Sequence, residues 1–549
     1  MIKTNSNHVA WWRILVITIL VVGVFFRVIN LDRKFFSNEE TATLVRITGH
    51  TWAEMQQLND GREIGVEDLQ KYVRFEPDKS VINTIKGLAA EEPQHSPLYF
   101  MMTRFWVQLW DNSVVATRSV SALLSLLVFP CLYWLCRELF ESSLPTWIAI
   151  ALIAVSPFHV MYAQDARQYS FWAAIILLSS AALLRAMRLK SKLNWVIYAA
   201  TVALSLYIYL FSVFIIIGHG IYVIAIERFR WNKTVKAYLL ATIGGILVFV
   251  PWLFVVANNI SQVNATTSWS QRSGWVVAGI GSHLSLVAKW ARNITLVFLD
   301  ADNERRIIYF GFDNLITYII QLFFVLALVT LAIYSIYFLC RQAPKRVWLF
   351  ILTLIGVTGL ALILPDLIDG GSRSTASRYM TPCYLGMQLA IAYLFASKIS
   401  SVSIKSRQQK LWQLAMATVI SLGVLSCTIS AQAHTWWNKH ETYYDADMAQ
   451  IINSAPHPLV VCVGSDSASR ALPFSFLLDP KVRLQLVSQP KLPKMSEGFS
   501  DVFLYRPAEA LLVRLKKQQT YKLESVYKYV KNWLGQKESG TLLWRLEKS

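Results

Sequence analysis

Long apolar runs separated by short polar stretches fill the first 430 residues, and shorter alternating runs replace them afterwards. A bilayer-spanning helix needs about 20 mostly apolar residues. Eleven runs are read as such spans, some of them shorter than this, near 12–29, 113–135, 146–163, 169–186, 195–210, 212–226, 237–256, 314–340, 347–364, 379–397 and 411–430. The first, Trp12 to Ile29, follows Lys3 and Arg13 and has no small-residue cleavage site behind it, so it reads as a retained helix. Two further apolar stretches do not fit a span. Pro97 to Trp110 is short and carries Arg104 and Gln108, and Trp275 to Leu299 carries Ser282, His283, Lys289, Arg292 and Asn293. Both are expected as amphipathic helices lying on the outer surface.

The basic clusters test this layout. With the N-terminus cytoplasmic, Arg185/Arg188/Lys190/Lys192, Arg228/Arg230/Lys233/Lys236, Arg341/Lys345/Arg346 and Lys398/Lys405/Arg407/Lys410 all fall on the cytoplasmic side. Eleven crossings then leave the remaining chain outside. The expected organisation is a membrane domain over 1–430, with outer loops at 31–112 and 257–313, and an extracytoplasmic domain over 431–549. The location is a plasma (inner) membrane.

The final segment changes character. Pro458 to Gly464, Val482 to Val487, Asp501 to Tyr505 and Leu542 to Leu546 are strand-like, and Ala508 to Lys517 is compatible with a helix. The fold class is therefore an all-α polytopic membrane protein with a small C-terminal soluble α/β domain. Composition agrees: 54% of the residues are hydrophobic and 16% charged, against about 25% charged in soluble domains. The net charge of +19 lies in short clusters between apolar runs, so it reflects topology, and no nucleic-acid partner is expected. Six scattered cysteines give neither a disulfide framework nor a zinc site.

The unusual polar residues beside helix ends all fall on the outer side. An ionisable group near hydrocarbon is costly and tends to face a protein interior or a watery cavity. Glu39 and Glu40, in SNEETATL, fit either a solvated helix start capped by Asn38 or a general base with a supporting carboxylate. Asp165 and Arg167 lie in SPFHVMYAQDARQY. If this stretch is helical, Tyr169 shares a face with Asp165 and Arg167 points elsewhere. The alternative is an Asp–Arg pair tying two helices together. Arg373 and Arg378 bracket DGGSRSTASRY, where guanidinium groups suit a phosphate clamp. His95, in EEPQHSPLY, would orient a ligand or supply a proton. Cys462 reads as core.

The order of EE after the first helix, HSPLYFMMTRFW, CRELF, SPFHVMYAQDARQYSFW and SRYMTP resembles GT-C glycosyltransferases of the protein O-mannosyltransferase and aminoarabinose-transferase type, over residues 12 to 430. The resemblance implies inverting transfer of a sugar from a polyprenyl-phosphate donor to a lipid, protein or polysaccharide acceptor, on the outer side and among membrane lipids. It implies Glu39 as base, Glu40 as its supporting carboxylate and Asp165 as a second, acceptor-orienting acid, with Arg167 and Arg378 at the donor phosphate. His95, Tyr162, Gln164, Tyr169, Arg373 and Tyr379 complete the substrate-binding set. The family usually has Asp-Glu in the first loop. Here Glu39 stands at the Asp position, and its extra methylene moves the carboxylate by about 1.5 Å. Some relatives use a divalent cation and others do not, so a cation is possible without being required. The competing readings are a transporter or flippase of an anionic lipid or lipid-linked sugar, and a polysaccharide polymerase or ligase.

Overall fold

The computed structural model describes residues 6–271, 280–300, 315–401, 405–436, 439, 442–488, 498–518, 521–533 and 536–548. Lys3, the start of the 275–299 surface stretch, residue 314 and parts of the 257–313 loop lie outside the described residues.

All eleven predicted runs fall on helical segments. These are Ser6–Val28, Val114–Leu126 with Val128–Leu139, Leu144–Ala154 with Pro157–Gln164, Tyr169–Leu189, Lys192–Ile208, Ser212–Ile226, Lys233–Asn258, Leu315–Gln342, Lys345–Ile368, Thr381–Ser400 and Ser406–Gln432. Among the described residues six helices are long and apolar enough to cross a membrane, and the pair at 144–164 makes a seventh if its two halves count as one span. The protein is a multi-pass membrane protein. Leu98–Leu109 and Ile280–Thr295 form the two short helices expected outside the spans. The first is no simple surface helix, because Arg104 is buried and donates to the carbonyls of Ile47 and Lys79.

The 144–164 pair is bent by 55°. The cause is Pro157, which has no N–H to donate and forces Ser156 into an extended conformation. Carbonyls freed at the break need partners, and Arg27 of the first helix supplies them. It donates to Ala154 O at 2.6 Å and Ile153 O at 3.0 Å. Close approach is possible because glycines face the break. A Cβ on Gly23 would sit 2.4 Å from Ala154 O, and one on Gly423 would sit 2.5 Å from Val155 O. Small residues at helix crossings let backbones meet in this way. The bend redirects Pro157–Gln164 and brings Asp165 to its end.

One sheet lies beyond the helix ends. Its strands are β1 (Asp60–Gly65), β2 (Pro458–Val463), β3 (Arg483–Val487), β4 (Asp501–Tyr505), β5 (Tyr521–Trp533) and β6 (Gln536–Lys548), in the order β1-β3-β2-β4-β6-β5. β2 runs parallel to β3 and β4, and the other pairings are antiparallel. The predicted tail strands coincide with β2, β3, β4 and part of β6, and the predicted helix is Glu509–Gln518. β1 was not expected. It comes from the first outer loop and pairs Asp60 with Val487 and Gly65 with Arg483. Its sequence, DGREIG, has too few apolar residues to announce a strand. The sheet therefore joins the first loop to the tail above the helix ends.

Candidate functional site

Ser37 caps the helix Asn38–Thr48. Its hydroxyl accepts from the Glu40 N–H, and the Glu40 carboxylate accepts from the Ser37 N–H. The cap is thus Ser37, not Asn38. This capping box turns Glu40 inward, where it is buried and bonded to Arg118 through both oxygens, at 2.8 and 2.9 Å. The Ala166 N–H donates to the same carboxylate at 3.1 Å. Glu39, one position earlier, faces the other way.

Glu39 lies on the wall of a cavity of about 1200 Å³ between the helix ends and the sheet. Arg378 reaches one carboxylate oxygen at 2.9 Å, and the ammonium of Lys439 bonds the other. Lys439 also donates to Asp165 at 3.1 Å. A continuous chain of charge results, Arg378–Glu39–Lys439–Asp165. Arg167 closes its edge, donating to the Glu39 carbonyl at 3.2 Å and to the Thr43 hydroxyl at 3.1 Å.

Asp165 is not helical. Its φ of −88° and ψ of 127° place it in the extended joint between Pro157–Gln164 and Tyr169–Leu189. The helical spacing argument for Asp165 and Tyr169 is therefore superseded. The joint turns Asp165 toward Lys439 and Arg167 toward Glu39 and His95. The pairing of Asp165 with Arg167, the other reading of the motif, is replaced by separate partners for each.

His95 Nε2 lies 3.1 Å from Arg167, which can only donate, so that nitrogen accepts and the ring is neutral. Burial, reinforced by the Arg167 charge, pushes the His95 pKa down to about 3. Burial alone would raise the Glu39 carboxyl. The charges of Lys439, Arg378 and Arg167 outweigh it and hold Glu39 well below the usual carboxylate range. For Asp165 burial prevails over Lys439, and with Glu40 and Glu39 nearby its carboxyl is pushed up to about 6. Lys439 itself is lowered by burial and raised further by Asp165 and Glu39, so it stays protonated.

The remaining predicted residues divide into two groups. Tyr169, Tyr379, Arg373 and Arg378 line the cavity together with Glu39, His95 and Arg167. Arg378 lies over the rings of Tyr379, Trp269 and Tyr169 at 5.1, 5.5 and 5.9 Å. Arg373 is held by Asp366 at 3.2 Å. Tyr162, Gln164, Glu40 and Asp165 are not on the cavity wall; Asp165 is buried behind it and is joined to Glu39 through Lys439. Tyr162 is buried against Ser377, and Gln164 binds the end of the first helix through Phe26 O, Ile29 O and Lys34. Lys439 and the tail residues Ser465, Asp466, Arg470 and Arg506 carry no signal in the sequence; those tail residues line the roof of the cavity. Arg118 was missed, although it is a charge inside an apolar run. Lys439 arrives because Trp436 is buried against the end of the first helix, its indole N–H donating to Phe35 O at 3.0 Å. Among the described residues no three His, Cys, Asp or Glu side chains group as metal ligands.

The family model described as dolichyl-phosphate-mannose-protein mannosyltransferase matches residues 94–254. No curated protein sequence matches the chain. Among solved structures, apo ArnT from Cupriavidus metallidurans is 13% identical, with a TM-score of 0.49 and 98% of each chain covered. The oligosaccharyltransferase of Archaeoglobus fulgidus tethered to an acceptor peptide is 12% identical, with a TM-score of 0.48 over 87% of this chain. The chain spans 64% of that protein's length. The stretch that the family model covers holds His95, Asp165 and Arg167, and over that stretch the chain is similar to the dolichyl-phosphate-mannose-protein mannosyltransferases.

Proposed function

We propose that the protein is an inverting membrane glycosyltransferase that moves a sugar from a polyprenyl-phosphate donor to an acceptor hydroxyl on the outer side of the membrane. The observation that carries this reading is the position of Glu39. It is an ionised carboxylate on a cavity wall, with the guanidinium of Arg378 against one oxygen and that of Arg167 on its own backbone carbonyl. A base beside two cations is what transfer from a phosphate requires, because one bond forms at the sugar while negative charge develops on the leaving group.

In the reaction, the acceptor oxygen attacks the anomeric carbon from the face opposite the phosphate. The carbon–oxygen bond to phosphate breaks, polyprenyl phosphate leaves with the bonding pair, and Glu39 takes the acceptor proton. Its low basicity makes proton transfer late, once attack has acidified the hydroxyl. Asp165, buried behind the wall, serves the acceptor side through Lys439, which bonds both it and Glu39. The Nε atoms of Arg378 and Arg167 are buried and without a partner among the described residues, which leaves donors for the donor phosphate. His95, neutral and hydrogen-bonded to Arg167, holds that guanidinium in place, and Arg373, Tyr169 and Tyr379 shape the donor side. Glu40 supports from beneath, by fixing the helix start that carries Glu39. The acceptor is a lipid, protein or polysaccharide, and the setting is a plasma (inner) membrane with the N-terminus cytoplasmic.

The test is to incubate the purified chain in nanodiscs with a panel of polyprenyl-phosphate sugars and membrane extract as acceptor. Release of polyprenyl phosphate is expected from the wild type and not from Glu39→Gln or Asp165→Asn. Equal release by either variant would remove its assigned role, and no release with any donor would overturn the reading in favour of a lipid transporter.

A further inference from the structure

Lys439 lies beyond the last apolar helix, in the connection to the sheet, yet its ammonium is buried and bonded to groups from two other parts of the chain. It bonds Glu39 from the first loop and Asp165 from the joint after the bent helix pair. The other nearby cations are committed elsewhere. Arg118 is bonded to Glu40, Arg167 to His95, Thr43 and the Glu39 carbonyl, and Arg378 to the far oxygen of Glu39. Among the described residues Lys439 is the one ion-pair partner of Asp165.

We propose that Lys439 is a tethered counter-ion, a positioning residue that keeps Glu39 and Asp165 ionised and fixed relative to one another. Its catalytic consequence rests on the function proposed above. A buried carboxylate without a cation takes up a proton or forces the surroundings to move. Asp165 is the exposed link in this respect, because Glu39 and Glu40 both face it and each retains an arginine if Lys439 is removed. Burial already drives Asp165 upward with Lys439 present. The connection that carries Lys439 is anchored on Trp436, which the cations of Lys34 and Arg118 flank at 5.2 and 5.1 Å. The segment after the membrane helices is thus part of the site, and the tail does more than roof the cavity.

The experiment uses the full chain in nanodiscs and reads two quantities. The first is the carboxylic-acid carbonyl band in infrared spectra at neutral pH, which needs no turnover. Lys439→Ala, and Lys439→Gln as a bulkier neutral replacement, are expected to show a band that a second Asp165→Asn substitution removes, whereas Lys439→Arg shows none. The second is polyprenyl-phosphate release, expected to fall about a hundredfold in Lys439→Ala. Ethylammonium is expected to suppress the band and restore release, and tetramethylammonium, which has no N–H to donate, to do neither. A merely structural lysine would not give this pair of responses. No band in either neutral variant overturns the counter-ion, and a band with unchanged release overturns the positioning role. Failure of the wild type to release polyprenyl phosphate from any donor would overturn the glycosyltransferase reading while leaving the band as an independent reading of Lys439.

Discussion

Arg118 grips Glu40 through Nε at 2.8 Å and a terminal nitrogen at 2.9 Å, with both side chains closed off from solvent. The adjacent Glu39 turns away from this pair onto the cavity wall. Two neighbouring carboxylates thus have different tasks, one in the fold and one at the cavity. Arg118→Ala leaves Glu40 buried without a cation and is expected to cost about 3–5 kcal/mol. The check is the thermal unfolding midpoint in nanodiscs, where Glu40→Gln should lose more stability than Glu39→Gln. The reverse order would show that the assignment of tasks is mistaken.

Arg378 touches Glu39 with one nitrogen and keeps its Nε unpartnered among the described residues. Arg378→Ala should raise the donor KM about ten- to a hundredfold, the worth of one or two hydrogen bonds to a charged group. Lysine at this position should recover little, since the flat guanidinium also packs on Tyr379 and Trp269. Unchanged donor affinity in the alanine variant would remove the phosphate clamp.

Transfer should depend on pH through Asp165, whose carboxyl is pushed up to about 6 by burial. Turnover is expected to fall as pH drops through that value, because the ionised form is the working one. His95, pushed down to about 3, stays neutral throughout and adds no inflection. Stability has the opposite sign. A carboxyl whose pKa is raised on folding contributes its stability below the unfolded value of about 3.9 and loses it as pH rises through the folded value. Asp165→Asn should therefore be more stable than wild type at about pH 8 and lose that advantage at about pH 4. Unfolding midpoints at the two pH values decide it.

The helix break gives a prediction on packing alone. A Cβ at Gly23 or Gly423 would collide with backbone at Ala154 or Val155, whereas one at Gly244 meets nothing within 4 Å. Alanine at either of the first two positions should cost about 1–3 kcal/mol. Gly244→Ala, in mid-helix, should gain about 0.5–1 kcal/mol. Equal effects at all three sites would mean that the break is not tightly packed.

The helices were legible because apolar length is a local property, and β2, β3 and β4 were legible as short apolar runs between turns. Glu39, Asp165, Arg167 and Arg378 stood out as charges beside helix ends, and they do come together. Lys439 did not stand out. It lies in HTWWNKHETYY, a polar stretch with no periodicity, and its partners are 400 and 274 positions away along the chain. Arg118, by contrast, stands inside the apolar run 113–135, where a charge is itself a sign of a buried partner. The capping box was partly visible as Ser37 followed three residues later by Glu40, which is the signal that separates the two glutamates.

The pairing of β1 with β3 sets an order of events during biosynthesis. Residues 60–65 are made early, and their partners at 483–487 emerge more than 400 residues later, after the apolar helices between them. Until then the first loop has an unsatisfied strand edge, and a chain stopped before the tail would keep that edge open to other chains. The first loop and the tail are therefore joined through this sheet only in a chain synthesised past residue 487.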